Sequence, residues 1–147
     1  MIDCPLCSGL GGELIAQTAH YRLIRADEAG FPLFYRLIWQ RHVAEFSDLS
    51  QAERSICMEA VATVERVLRQ QLPPDLRPTK INLASLGNVV PHLHWHIIAR
   101  YDWDSHYPAP VWAAAQRSPD SAKLQTLCAS LPQLHAALQT ALEHAAA

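Results

Sequence analysis

The chain has no excess of positive charge: 12 lysines and arginines stand against 14 aspartates and glutamates, a net charge of -2 over 147 residues. A global basic field that would hold DNA or RNA by its phosphates is therefore missing, and no nucleic-acid polymer is expected as a partner. The start, Met1-Ile2-Asp3-Cys4-Pro5-Leu6-Cys7, has no positive n-region and no apolar h-region, so a secretory signal is not expected. No apolar run is long enough to span a bilayer, which excludes a helical membrane partner role. The expected compartment is then the cytoplasm, where thiols stay reduced, and the four cysteines point to metal or core positions rather than disulfides. Internal repeats are missing too, and low complexity is confined to the alanine tail at Ala145 to Ala147. What remains is globular composition, 50% hydrophobic and 18% charged. The length suits one domain over residues 1–147, with a core over 1–112 and a helical extension over 113–147.

The pattern predicts strands over Tyr21 to Ala26 and Leu33 to Trp39, paired antiparallel through the turn Asp27-Glu28-Ala29-Gly30. Ser50-Gln51-Ala52-Glu53 fits a capping box, in which the Ser50 hydroxyl and Glu53 carboxylate satisfy orphan N–H groups at a helix start. That helix is expected to run to about Gln71, with Ile56, Ala60, Val64 and Val67 near one face, and to end at Pro73-Pro74. Two further strands are expected over Thr79 to Ser85 and Pro91 to Arg100, followed by an irregular loop from Asp102 to Trp112. Ser118-Pro119 reads as a helix start, and the helical tail as broken or kinked near Pro132. The fold class is α+β, a mostly antiparallel sheet with a long helix after the second strand and a helical C-terminal tail.

Eight histidines are the compositional outlier, and three of them alternate in Pro91-His92-Leu93-His94-Trp95-His96-Ile97-Ile98. On a strand, His92, His94 and His96 share one face and Leu93, Trp95 and Ile97 the other. Such a row can bind a metal, since neutral imidazole is a good zinc ligand. It can equally supply a nucleophile and an acid/base partner for phosphoryl chemistry, or simply be an exposed face. The surroundings favour phosphate. No aspartate or glutamate occurs between Leu76 and Tyr101, whereas Arg77, Lys80 and Arg100 do. Gly87-Asn88 offers backbone N–H groups and an amide that can hold phosphoryl oxygens; by itself it is an ordinary turn.

The segment His92-Leu93-His94-Trp95-His96-Ile97-Ile98 resembles the histidine-triad (HIT) signature, His-φ-His-φ-His-φ-φ with φ apolar. Asn82, Gly87, Asn88 and Val90 resemble the asparagine and Gly-Gln-x-Val lead-in of that family, and Arg41-His42-Val43 its histidine before the long helix. The likeness runs from about Cys4 to Arg100. Asn88 stands where glutamine is common, the stretch from Asn82 to His92 is shorter, and Pro91 is unusual. The resemblance implies a nucleotidyl hydrolase or transferase acting at an α-phosphate, with substrates such as diadenosine tetraphosphate or a nucleoside phosphoramidate. It implies His94 as the nucleophile of a covalent nucleotidyl-histidine intermediate, His96 as a hydrogen-bonding group for the phosphoryl oxygen or leaving group, and Asn82 and Asn88 as phosphate contacts. A homodimer and no organic cofactor are implied as well. With an unperturbed imidazole pKa of about 6.5, activity is expected to fall at acid pH. Rival readings are a metal-dependent hydrolase using His92, His94 and His96 as ligands, and a nucleotide-binding module without turnover.

Cys4-Pro5-Leu6-Cys7 has the spacing of a tetrahedral metal knuckle but no second such pair. In some branches of the same superfamily a similar pair joins the pre-helix histidine and the first triad histidine around a structural zinc. That implies Cys4, Cys7, His42 and His92 as ligands here; without metal they would be free thiols and hydrogen-bonded imidazoles. Cys57 and Cys128 read as small core residues. Leu23, Ile24, Phe31 and Phe34 are candidates for an apolar base slot, with the core as the plainer use. His20, His135 and His144 read as surface residues, His106 as a surface residue or one that approaches the phosphate site, and Tyr107 and Trp112 as packing the loop onto the sheet or a partner.

Overall fold

A computed structural model describes residues 3–146. Five strands, β1 (Glu13–Gln17), β2 (Tyr21–Arg25), β3 (Phe34–Trp39), β4 (Lys80–Ala84) and β5 (His94–Arg100), form one antiparallel sheet in the order β1-β2-β3-β5-β4. A single turn of helix, α1 (Pro5–Ser8), precedes β1; α2 (Gln51–Gln70) lies between β3 and β4, and α3 (Ser121–Ala146) follows the sheet. The α+β expectation holds.

Strand alternation divides the sheet into two unlike faces. Leu23, Tyr35, Leu37 and Ile97 pack with Val61 and Val64 of α2 and Leu134 and Leu138 of α3 in the main core. At about 1.5–3 kcal/mol for each fully buried large aliphatic side chain, this layer carries most of the stabilisation. The opposite face holds a smaller cluster of Ile24, Phe31, Phe34, Ile38 and Ile98, covered by Leu6 and Val111. The candidate base-slot residues are therefore core: Leu23 in the first cluster, the other three in the second. On β5, Trp95, Ile97 and Ala99 face the helices, while His94, His96, Ile98 and Arg100 share the second face.

Several expectations are corrected. The long helix follows the third strand, not the second, because Glu13–Gln17 is a strand. Its sequence, Glu-Leu-Ile-Ala-Gln, lacks clean alternation because a register shift between Leu14 and Ala16 breaks the period. The helical stripe is Cys57, Ala60, Val61, Val64, Val67 and Leu68; Ile56 is one position off it and exposed. β5 begins at His94, since Pro91 has no N–H to give a ladder and His92 donates its own to Val90 O. The final helix starts at Ser121, after Asp120 accepts the Lys123 N–H at 3.1 Å, rather than at Ser118-Pro119. It runs unbroken through Pro132. Leu134, Leu138 and Leu142 anchor the turns beyond it, and their burial outweighs the roughly 3 kcal/mol that an interior proline costs. Cys128 is exposed, not core. His135 is not solvated: its Nε2 meets the buried Tyr35 hydroxyl at 3.0 Å. Of the alanine tail, Ala147 lies outside the described residues, as do Met1 and Ile2 at the other end.

Candidate active site and metal centre

His94 opens β5 opposite Ile38, and His96 lies between Arg36 on β3 and Ala84 on β4. Both imidazoles are buried, with ring centroids 5.0 Å apart. His94 Nδ1 is 2.6 Å from the carbonyl oxygen of His92. A carbonyl only accepts, so Nδ1 carries the proton and Nε2 keeps the lone pair. Burial, followed by the neighbouring His94 and Arg36, lowers the pKa of His96 to about 4, so this ring is neutral at pH 7. Its Nδ1 is buried without a hydrogen-bond partner. A buried N–H without an acceptor is the costlier orphan, which places the single proton on Nε2.

The two rings line a cleft of about 430 Å³. Its lining includes Arg36, and one wall is the Gly87-Asn88 segment, with Gly87 at φ +86°, a conformation that favours glycine. Leu86, Val89 and Val90 continue that wall, and Leu6 and Trp112 complete the lining. Of the expected phosphate contacts, Asn88 lies in the cleft. Asn82 lies on β4 and accepts a hydrogen bond from Arg100 Nη1 at 2.8 Å, away from the lining. His106 pairs with Ser105 at 2.8 Å and packs on Phe31.

His92 takes no part in the cleft. Its Nε2 is 2.6 Å from Trp39 O, so the proton is there and Nδ1 offers a lone pair. That Nδ1 lies 3.5 Å from Cys4 Sγ, 3.5 Å from Cys7 Sγ and 3.2 Å from His42 Nδ1; Cys7 Sγ is 3.4 Å from His42 Nδ1. Zinc bond lengths at tetrahedral angles put S···N edges at about 3.6 Å and N···N edges at about 3.3 Å. These four edges match a tetrahedral cation, all four donor atoms lie within 4.8 Å of one another, and two thiolates with two neutral imidazoles would balance its charge. Among the described residues these four form the group that could hold a metal ion, and His94 and His96 are outside it. The knuckle is held by Arg22, a buried cation that donates to Leu6 O (2.7 Å), Gly9 O (3.0 Å), Leu10 O (2.9 Å) and Gln40 Oε1 (3.0 Å). Sequence reasoning missed Arg22, Arg36, Leu6 and Trp112. A charged residue inside an apolar strand was the available signal for the two arginines; nothing local marks Leu6 and Trp112.

A family model, the HIT domain, matches residues 11–103. The chain belongs to the HIT domain family. It is similar to the solved structure of a histidine triad protein from Bradyrhizobium japonicum, at 29% identity over 82% of this chain and 90% of that one, TM-score 0.64. A histidine triad protein from Sinorhizobium meliloti 1021 is similar at 25% identity, covering 84% and 90%, TM-score 0.65. A zinc-bound histidine triad family protein from Mycobacterium smegmatis shares the fold at 18% identity, covering 92% and 97%, TM-score 0.59. No curated protein matches the chain. No described helix is long and apolar enough to cross a membrane.

Proposed function

We propose that the protein is a nucleotidyl hydrolase or transferase in which His94 attacks the α-phosphorus of a dinucleoside polyphosphate or nucleoside phosphoramidate. One observation carries the reading: the His94 Nδ1–H is anchored on the His92 carbonyl, which keeps the Nε2 lone pair available beside the cleft. The bond from Nε2 to phosphorus forms as the bond from phosphorus to the leaving group breaks, and the leaving group takes that electron pair. Water or another acceptor then displaces the histidine and releases the nucleotide. His96 stays neutral and offers its one N–H to a phosphoryl oxygen or the leaving group. The amides of Gly87 and Asn88 offer further neutral donors to the phosphate.

Cys4, Cys7, His42 and His92 would hold a structural zinc, supported by the edge lengths above and by the zinc-bound relative. The metal would order the N-terminal knuckle beside the cleft. A homodimer in the cytoplasm completes the reading; light scattering tests the first part.

The test is AMP release from diadenosine tetraphosphate and adenosine 5′-phosphoramidate, with and without EDTA, in wild type and His94→Ala. Intact mass spectra are taken of quenched reactions. The reading expects EDTA-resistant turnover, lost in His94→Ala, and an adenylyl adduct on wild type. Turnover abolished by EDTA without an adduct would return the chemistry to a metal; AMP binding without turnover would make the protein a binding module.

A further inference from the structure

The HIT domain match ends at residue 103, yet one wall of the cleft comes from beyond it. Trp112 is 52% exposed, unusual for an indole that could pack on the sheet, and its ring lies 5.1 Å from that of His96 in an edge-on contact. The loop that carries it is tied at both ends. Gln116 N donates to Ser105 O at 2.6 Å, Arg117 N to the same oxygen at 3.1 Å, and the Arg117 guanidinium to Asp104 O. Asp104 is in turn locked to Arg100 on β5 at 2.9 Å. The indole is thus presented by a fixed loop rather than a free tail.

The rest of the lining says what kind of group it receives. Leu6, Leu86, Val89 and Val90 are apolar. Arg36 is the one charged side chain in the lining, and Glu28 lies 3.7 Å from it. A polyphosphate leaving group brings several negative charges to a wall that offers one partly neutralised cation, whereas a flat apolar group meets an exposed indole and aliphatic side chains.

We propose that Trp112 is a specificity-determining residue that stacks on the leaving group, so that the cleft selects nucleoside 5′-phosphates carrying a flat, apolar leaving group over those carrying a polyphosphate. The proposal rests on His94 as the nucleophile. In the matching reaction on an aryl ester of AMP, the P–N bond to His94 forms, the P–O bond to the ring breaks, and the aryl oxide departs with the electron pair.

The probe is the p-nitrophenyl ester of AMP, compared with diadenosine tetraphosphate and with AMP itself. Kinetics are run in wild type, Trp112→Ala and Trp112→Phe; dissociation constants are measured by calorimetry in His94→Ala with and without Trp112→Ala. Aromatic stacking corresponds to roughly a five- to 150-fold effect per ring. Trp112→Ala is expected to raise KM and Kd for the aryl ester at least about tenfold by that scale, with kcat nearly unchanged. Trp112→Phe should recover most of it, and AMP and diadenosine tetraphosphate should be little affected. An unchanged Kd for the aryl ester overturns the proposal. So does an equal loss for all three ligands, which would give the indole to the nucleobase. If wild type forms no His94 adduct, the catalytic reading fails, and the Kd comparison still decides the role of Trp112.

Discussion

Replacing Asp104 with alanine should destabilise the protein by about 3–5 kcal/mol, because it breaks a fully buried ion pair from one side. Asp104 and Arg100 are 3% and 2% exposed. The carboxylate accepts Arg100 Nε at 2.9 Å and Nη2 at 3.1 Å, and the backbone N–H groups of Tyr101, His106 and Tyr107 at 3.1, 2.9 and 2.7 Å. Burial alone would raise its pKa, but Arg100 and these three N–H groups outweigh it and hold the carboxyl below the usual range. Alanine leaves a buried guanidinium with two donors unmet and three peptide N–H groups orphaned. Asparagine keeps acceptor oxygen for some of them but loses the charge, and should cost about 2 kcal/mol, as a charge-assisted hydrogen bond does. Against a total stability of about 5–15 kcal/mol, the alanine variant would be marginal. The assay is equilibrium urea denaturation followed by both circular dichroism and tryptophan fluorescence. A buried pair is poorly screened, so the loss should be nearly the same in low and high salt. A loss below about 1 kcal/mol with an unchanged m-value would refute the reasoning, since it would mean that the pair contributes no more than a surface one.

Three further outcomes follow from other parts of the molecule. Zinc should copurify at one ion per chain, and a chelator or Cys7→Ser should lower the melting temperature; at free zinc a thousandfold above its Kd the stabilisation is about 4 kcal/mol, and a chelator-insensitive melt would count against a metal role. His96 titrates near 4 in the fold and about 6.5 in the unfolded chain, so its contribution is complete above pH 6.5 and is lost as pH falls towards 4. The loss is about 3 kcal/mol, and His96→Gln should flatten that part of the stability-against-pH curve. Ser50→Ala removes a cap in which Ser50 Oγ accepts Glu53 N at 3.2 Å while Glu53 accepts Ser50 N at 2.7 Å, and should cost about 1 kcal/mol by denaturation.

Much of the fold was legible because its signals are local. The Ser50–Glu53 box, the Pro73-Pro74 stop, the aromatic and branched run of β3 and the alternation of β5 need no knowledge of distant residues, and each lies where expected to within a few residues. The misses depend on tertiary context. β1 is an edge strand whose bulge spoils its period, and it exists because β2 is there to pair with. Pro132 breaks a helix by local rules, but Leu134, Leu138 and Leu142 dock the far side on the core. His135 reads as a surface residue until α3 lays it against Tyr35, 100 positions away. The cleft is the same kind of case. Leu6 and Trp112 both line it although 106 positions separate them, and neither is singled out by a motif.

The three alternating histidines show how one repeated residue acquires three environments. A strand reading puts all three on one face with equal standing. The strand begins only at His94, however, because Pro91 cannot join the ladder, and this frees His92 to turn towards the knuckle. The fate of each ring nitrogen then differs. His92 gives one to Trp39 O and the other to the Cys4, Cys7 and His42 donors. His94 gives one to His92 O and keeps the other as a lone pair. His96 has one buried without a partner, and burial keeps the ring uncharged. The carbonyl of His92 is the link among them. The residue whose ring faces the metal donors is also the one whose backbone fixes the tautomer of His94. The candidate metal donors and the cleft histidines are therefore separate in space but joined through one backbone carbonyl, and the two-residue spacing is what makes both possible.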